Sequence, residues 1–224
     1  FIALQIMSNH VQMSYYFLFV ILFIAGAYFE DAWRNKTLPR FFKASAVLLV
    51  AALIGVAANL SNLYHTYTYS KETMRGKSEL VQTGDAAKQT SSGLDRDYIT
   101  NWSYGIGETW TLLVPNFKGG SSSAPLSQSE TAMEKANPMY GSLYNSFPQY
   151  FGSQPWTAGP VYVGAFVLFL FVLGCFIVKG PLKWALLGAT FFSIVLAWGK
   201  NFMPLTDFFI DYVPMYNKFR AVSS

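Results

Sequence analysis

Four stretches of this chain are long, apolar and almost free of charge, and they decide what it can fold into. They cover residues 14–29 (SYYFLFVILFIAGAYF), 41–63 (FFKASAVLLVAALIGVAANLSNL), 160–178 (PVYVGAFVLFLFVLGCFIV) and 182–198 (LKWALLGATFFSIVLAW). No Asp, Glu, Lys or Arg lies within 14–29, 44–63 or 160–178, and the last stretch carries only Lys183, at its edge. A helix needs about 20 mostly apolar residues to cross about 30 Å of hydrocarbon. Buried helices of soluble proteins are rarely so uniformly apolar over this length. Each stretch is therefore expected to be a transmembrane helix. The charged fraction agrees, because 12% is about half of the quarter usual in soluble domains. The 52% hydrophobic content excludes disorder. Cys175 is the only cysteine, which excludes a disulfide scaffold.

The first residues, 1–8 (FIALQIMS), have neither an initiator Met nor a basic leader. They are expected to be the last two turns of a further spanning helix, in a fragment of a larger multi-span protein. Orientation follows from the basic residues. The linker 30–40 holds Arg34, Lys36 and Arg40, with Lys43 just beyond it, and the turn 179–181 holds Lys179 beside Lys183. Short loops rich in Lys and Arg stay in the cytoplasm. Both linkers can do so only if 64–159 lies outside, and 199–224 then lies outside too, as an interfacial segment. The expected fold is an all-α polytopic membrane protein with a large, mixed or irregular extracytoplasmic loop. The bilayer is its first partner. The formal charge of +4 is then a topology signal, and no basic stripe with interleaved aromatics points to nucleic acid.

The outer loop is too long for a simple connector. A helix is expected over 70–82, with a weak point at Gly76, followed by a polar linker over 84–93. Ser127 and Glu130 fit a capping box, and that helix should stop before Asn137-Pro138. The stretches 98–117 and 140–156 are dense in Tyr, Trp and Phe. Such residues suit the membrane–water boundary and also offer a surface to protein partners.

With no charge at membrane depth, binding or chemistry belongs to the outer ends. His10, Gln12 and Tyr15 stand at the outer start of 14–29. Asn59, Asn62 and His65 follow one another at i, i+3 and i+6 at the outer end of 41–63, roughly one helical face. They line a polar cleft, or they bond neighbouring helices together as structural glue. Arg96, between Asp95 and Asp97, is either part of a salt-bridged turn or a clamp for a phosphate. Glu108 stands alone among glycines, aromatics and apolar residues (GIGETWTLLVPNF). It is a candidate base with perturbed proton affinity, or a first-turn carboxylate of a short helix ending before Pro115. Asp207 and Asp211 share a face if helical, in a tail broken by Pro204 and Pro214. Lys218 and Arg220 are placed to bind a lipid phosphate, or they anchor a surface helix. There is no Cys/His spacing for a metal.

Several segments resemble the YfhO family of bacterial multi-span proteins, in wording like that of members from the Bacteroidetes. They are NHVQMSYYFLF at 9–19, YGIGETWTLLVPNFKGG at 104–120, QYFGSQPWTAGPVYVGAFVLFL at 149–170 and GKNFMPLTDFFIDYVPMYNKFRAVSS at 199–224. The resemblance implies a GT-C-like helix bundle in the bacterial inner membrane. It also implies a glycosyltransferase that takes a sugar from a polyprenyl-phosphate carrier on the outer side. Glu108 and His10 become the candidate catalytic residues. Arg96, Lys218 and Arg220 become candidates for the donor phosphate, and Gln12, Tyr15, Asn59 and Asn62 for the substrate cleft. A divalent cation would serve the same phosphate. The acidic residue typical of the class is expected in an outer loop before residue 1. A lipid-substrate transporter or flippase and a non-catalytic membrane subunit are the alternatives.

Overall fold

A computed structural model describes residues 2–8, 10–73, 94–155 and 161–219. The described residues are mostly helical and form no β-strand. The first helix, α1, is short (Ile2–Met7). The next, α2 (Val11–Arg34), runs for 24 residues, and α3 (Leu38–Ala57) for 20. At about 1.5 Å per residue they are roughly 36 and 30 Å long, a match to the hydrocarbon thickness. A backbone with no water to bond must satisfy every amide internally, so apolar, charge-free stretches like these become helices. α2 stops where Lys36 takes a left-handed φ of 55°, and Pro39 in the first turn of α3 restarts the helix, where no amide donor is needed.

The second apolar block does not run straight to residue 63. It breaks at Ala58–Asn59 and resumes as α4 (Leu60–Lys71). Asn59 sits at the break because its amide reaches sideways, to the carbonyls of Ala3 at 3.0 Å and Gly55 at 3.2 Å. The expected helix over 70–82 reaches only Lys71 of α4, and residues 74–93, with the polar linker, lie outside the described residues.

The third block also differs. Its helix, α7, spans only Ala165–Ile177, after a non-helical stretch at 161–164. The amide of Val163 bonds to the carbonyl of Leu112 at 3.3 Å, so the outer loop, and not the helix, satisfies that backbone. The fourth block is α8 (Pro181–Ala197). Gly199, at φ +43°, a left-handed value that favours glycine, lets the chain turn by 108° into a helical turn and α9 (Met203–Tyr212). Pro204 does not break this tail. It occupies the first turn of α9, where proline is tolerated, whereas Pro214 follows the helix end. Among the described residues, two helices are long and apolar enough to cross a membrane, or three if the bent pair is one span.

α2 and α8 are antiparallel neighbours. Tyr16 and Leu196 share one buried cluster, Phe19 meets Phe192 at 5.9 Å between centroids, and Phe23 lies against Gly188. As one number rises the other falls. The start of α2 and the end of α8 are therefore at one end of the bundle, and the two basic linkers are together at the other. The core forms at the first of these ends. Tyr16, Leu94, Ile99, Leu196, Phe209, Ile210, Tyr216 and Phe219 are buried together there, joining α2, α8, α9, the tail and the re-entry of the outer loop.

Candidate functional site

The outer loop folds onto the end of α8. The amide of Tyr104 bonds to the carbonyl of Ala197 at 2.8 Å, and the side-chain amide of Asn201 donates to the carbonyl of Tyr104 at 2.7 Å. Ser103 accepts from the amide of Lys200 at 2.9 Å, and the Trp198 indole donates to Thr109 at 2.8 Å. Farther out, 118–126 runs antiparallel to 147–151 through backbone bonds such as Leu126 to Phe147 at 2.7 Å and Phe151 to Lys118 at 2.8 Å. A short helix, α5 (Arg96–Thr100), opens the unit, and α6 (Glu130–Lys135) stands on its rim. The cap of α6 is Ser129, which accepts from Ala132 at 3.4 Å. The capping box expected from Ser127 does not form, because Ser127 is held in the preceding turn, Leu126–Gln128. The helix does stop before Asn137-Pro138.

Glu108 lies at the heart of this unit, 1% exposed, in a 3-10 turn spanning Ile106–Leu112. Its Oε2 accepts from the amide of Gly105 at 2.6 Å. Its Oε1 accepts from the amide of Ser153 at 2.9 Å and from the hydroxyl of Tyr150. Tyr150 in turn accepts from the amide of Gln154 at 3.2 Å, and the Gln154 side chain donates to the carbonyl of Trp102 at 2.6 Å. The carboxylate thus joins two strips of loop more than forty residues apart in sequence. Gly152 makes the approach possible, since a Cβ there would meet Glu108 Oε1 at 1.6 Å. Burial, and then the bond to Glu108, push the Tyr150 hydroxyl above its ordinary pKa. Burial, and then the Glu108 charge, do the same to Tyr104. Both keep their protons, which in Tyr150 suits a donor to the Glu108 carboxylate. The sequence signalled a short helix with Glu108 in its first turn. It did not signal Tyr150, Gly152 or Ser153, although a lone carboxylate amid glycines implies backbone amides as partners.

Arg96 occupies a second cluster. Its two terminal nitrogens donate to Asp207 at 2.6 Å and Asp211 at 2.5 Å. The two aspartates do share a face of α9, and the guanidinium fork answers both. Arg96 is thereby committed to a tie between α5 and α9. Close by, the hydroxyl of Tyr15 donates to the carbonyl of Pro214 at 2.8 Å, and its ring lies 5.1 Å from that of Phe219. Lys218, half-buried, follows Asn217, whose carbonyl accepts from the amide of Leu94 at 2.9 Å. The structure therefore gathers Tyr15, Arg96 and the Lys218 turn around the tail. Arg220 lies outside the described residues.

The other candidates lie on the N-terminal helices. His10 is exposed at the N-terminus of α2, and Gln12 is half-buried in its first turn. Asn59 is bonded to α1, as structural glue would be. Asn62 is exposed on α4. Neither shares a hydrogen bond with the Glu108 or Arg96 cluster among the described residues. Also among those residues, no three His, Cys, Asp or Glu side chains gather where a metal ion would sit.

The chain is a mostly helical protein with helices fit to cross a membrane and a folded polar unit set on one end. No family model matches it, and no curated protein or solved structure matches it significantly.

Proposed function

We propose that this chain is part of a polytopic membrane glycosyltransferase that uses a polyprenyl-phosphate sugar on the outer side of the bacterial cytoplasmic membrane. The observation that supports it most is the segregation of charge along the bundle. The basic linkers stand at one end, the loop unit and α9 at the other, and the helical segments between them, 14–29, 44–57, 165–177 and 184–197, carry no Asp, Glu, Lys or Arg. All polar chemistry is left to the loop end, at the depth where a lipid-linked donor exposes its phosphate. In the reaction, a base removes the proton of an acceptor hydroxyl as its oxygen attacks the anomeric carbon. The bond from that carbon to the phosphate oxygen breaks, and the polyprenyl phosphate leaves with the electron pair. Lys218 and Arg220 are the cations assigned to that developing charge. Glu108 is a positioning residue in this scheme, because both of its oxygens are already engaged, and the base belongs elsewhere in the protein.

The test uses the full-length protein, purified and supplied with labelled polyprenyl-phosphate sugar. The reading expects transfer of label, and it expects Arg220→Ala to lower donor use by about tenfold or more while leaving the fold intact. Absence of transfer, or normal transfer by that variant, goes against it. One observation favours a second reading, a non-catalytic membrane subunit. Glu108 and Arg96 are both occupied, while Trp110, Met139 and Phe151 are exposed on the loop unit. That reading expects another protein chain to cover this aromatic surface.

A further inference from the structure

We infer that the end of the bundle formed by the two short linkers binds the headgroups of anionic phospholipids. The inference rests on the membrane-spanning helices and not on the glycosyltransferase reading. In the sequence the two linkers are far apart. The antiparallel register of α2 and α8, from Tyr16 beside Leu196 to Phe23 against Gly188, carries them to the same end. Arg34, Lys36, Arg40, Lys43, Lys179 and Lys183 stand there against Glu30 and Asp31, six cations to two anions, a net +4.

The local pairing leaves most of that charge uncompensated. Glu30 is taken by Arg34 at 2.5 Å, and Asp31 accepts from Asn35 at 3.1 Å. Lys36, Arg40, Lys43 and Lys179 are exposed and enter no ion pair among the described residues. Charges at one end of a bundle act together on an incoming anion wherever they approach within about one Debye length, roughly 10 Å at 0.1 M salt.

Aromatic residues identify the anion as a lipid headgroup. Trp33 and Trp184 are 64% and 68% exposed, one near the end of α2 and one near the start of α8. Lys183 holds its ammonium 4.7 Å from the Trp184 ring. Phe29 joins Trp33 in a tilted ring contact at 6.0 Å and Phe41 in an edge contact at 5.6 Å. Exposed tryptophans at helix ends mark the boundary between hydrocarbon and headgroups. Lys183 also donates to the carbonyl of Cys175 at 3.1 Å, while Lys36, Arg40 and Lys179 stand in or beside the linkers, where a lipid supplies both a phosphate for them and acyl chains for the apolar helix surface beside them. A free phosphate has no group for the tryptophans.

The experiment takes the purified full-length protein in detergent and adds equal amounts of phosphatidylglycerol and phosphatidylcholine. Native mass spectrometry counts the bound lipids. Retention of phosphatidylglycerol should exceed that of phosphatidylcholine by about fivefold. Lys36→Gln with Arg40→Gln, and separately Lys179→Gln with Lys183→Gln, should each cut that excess by half or more, because one site draws on both linkers. Millimolar inorganic phosphate should not displace the lipid. With the unaltered protein, salt near 1 M, where the Debye length is about 3 Å, should abolish the preference, a readout that needs no variant to fold. Equal retention of the two lipids overturns the inference. So does an excess that survives high salt or both pairs of substitutions, or displacement by free phosphate.

Discussion

α3 and the loop-end junction are made of similarly apolar residues and hold themselves together in opposite ways. In 20 residues α3 buries only Gly55, and its Leu48, Leu49 and Ile54 stand open. The junction buries four aromatic rings with Leu94, Ile99, Leu196 and Ile210, and adds Glu108 and the Arg96 tie. In lipid there is no hydrophobic gain in moving a leucine from acyl chains to a neighbouring helix, so α3 has no reason to hide its side chains. At the water-facing end each buried large apolar side chain is worth about 1.5–3 kcal/mol, and polar groups must find partners or cost as much. Uniqueness of structure is therefore concentrated at the loop end.

The largest effect expected from this contrast is at Glu108. Glu108→Ala strands the Tyr150 hydroxyl and two backbone amides, and should destabilise the loop unit by about 3–5 kcal/mol. Limited proteolysis of the loop measures it. Gly152→Val should be as severe, since its Cβ lands on the carboxylate. If either variant leaves the loop as resistant as before, Glu108 is not the centre of that unit. Next comes Arg96→Ala, which releases α9 from α5 and leaves two aspartates four residues apart. The ion pairs are partly exposed, so about 1 kcal/mol is expected, with Asp207→Asn costing less. Thermal melting at low and high salt reads it, the difference shrinking as salt rises.

Alkali sharpens the comparison further. Tyr104 and Tyr150 have folded pKa values raised above 10.0. Their contribution is complete below the ordinary tyrosine value and is lost as pH rises past it, because only the unfolded chain releases the protons. Stability of the loop unit should be flat up to about pH 9 and fall beyond about pH 10. A fall that begins at neutral pH would contradict this assignment. The smallest effects belong to the lipid-facing helices. Leu48→Ala in α3 should change stability by no more than about 0.5 kcal/mol. Gly174→Ala in α7, where an added Cβ meets nothing within 4 Å, should be neutral or stabilising by up to about 1 kcal/mol. A large loss at Leu48 would mean that a protein surface packs there.

The membrane part was legible in the sequence because one physical demand, satisfying backbone amides without water, acts on every residue of an apolar block. The pairing of Asp207 with Asp211 on one face was legible for the same local reason. What they bind was not, since Arg96 lies more than a hundred residues away in sequence. Asn59 looked like cleft or glue from spacing alone, and only the approach of α1 decides for its bond to Ala3. The short α7 was hidden too. Residues 161–164 belong to the same charge-free block as the helix after them, but the bond from Val163 to Leu112 keeps the approach to that helix extended.

The central claim is that the two basic linkers lie on one side of a membrane and the folded loop on the other. Single thiols test it most directly, in sealed cells or vesicles carrying the full-length protein with Cys175→Ala. Met139→Cys, at an 81% exposed position on the loop unit, should react from outside with a reagent that does not cross the bilayer. Lys36→Cys and Lys179→Cys should react only after permeabilisation. Labelling of all three from the same side would contradict the account.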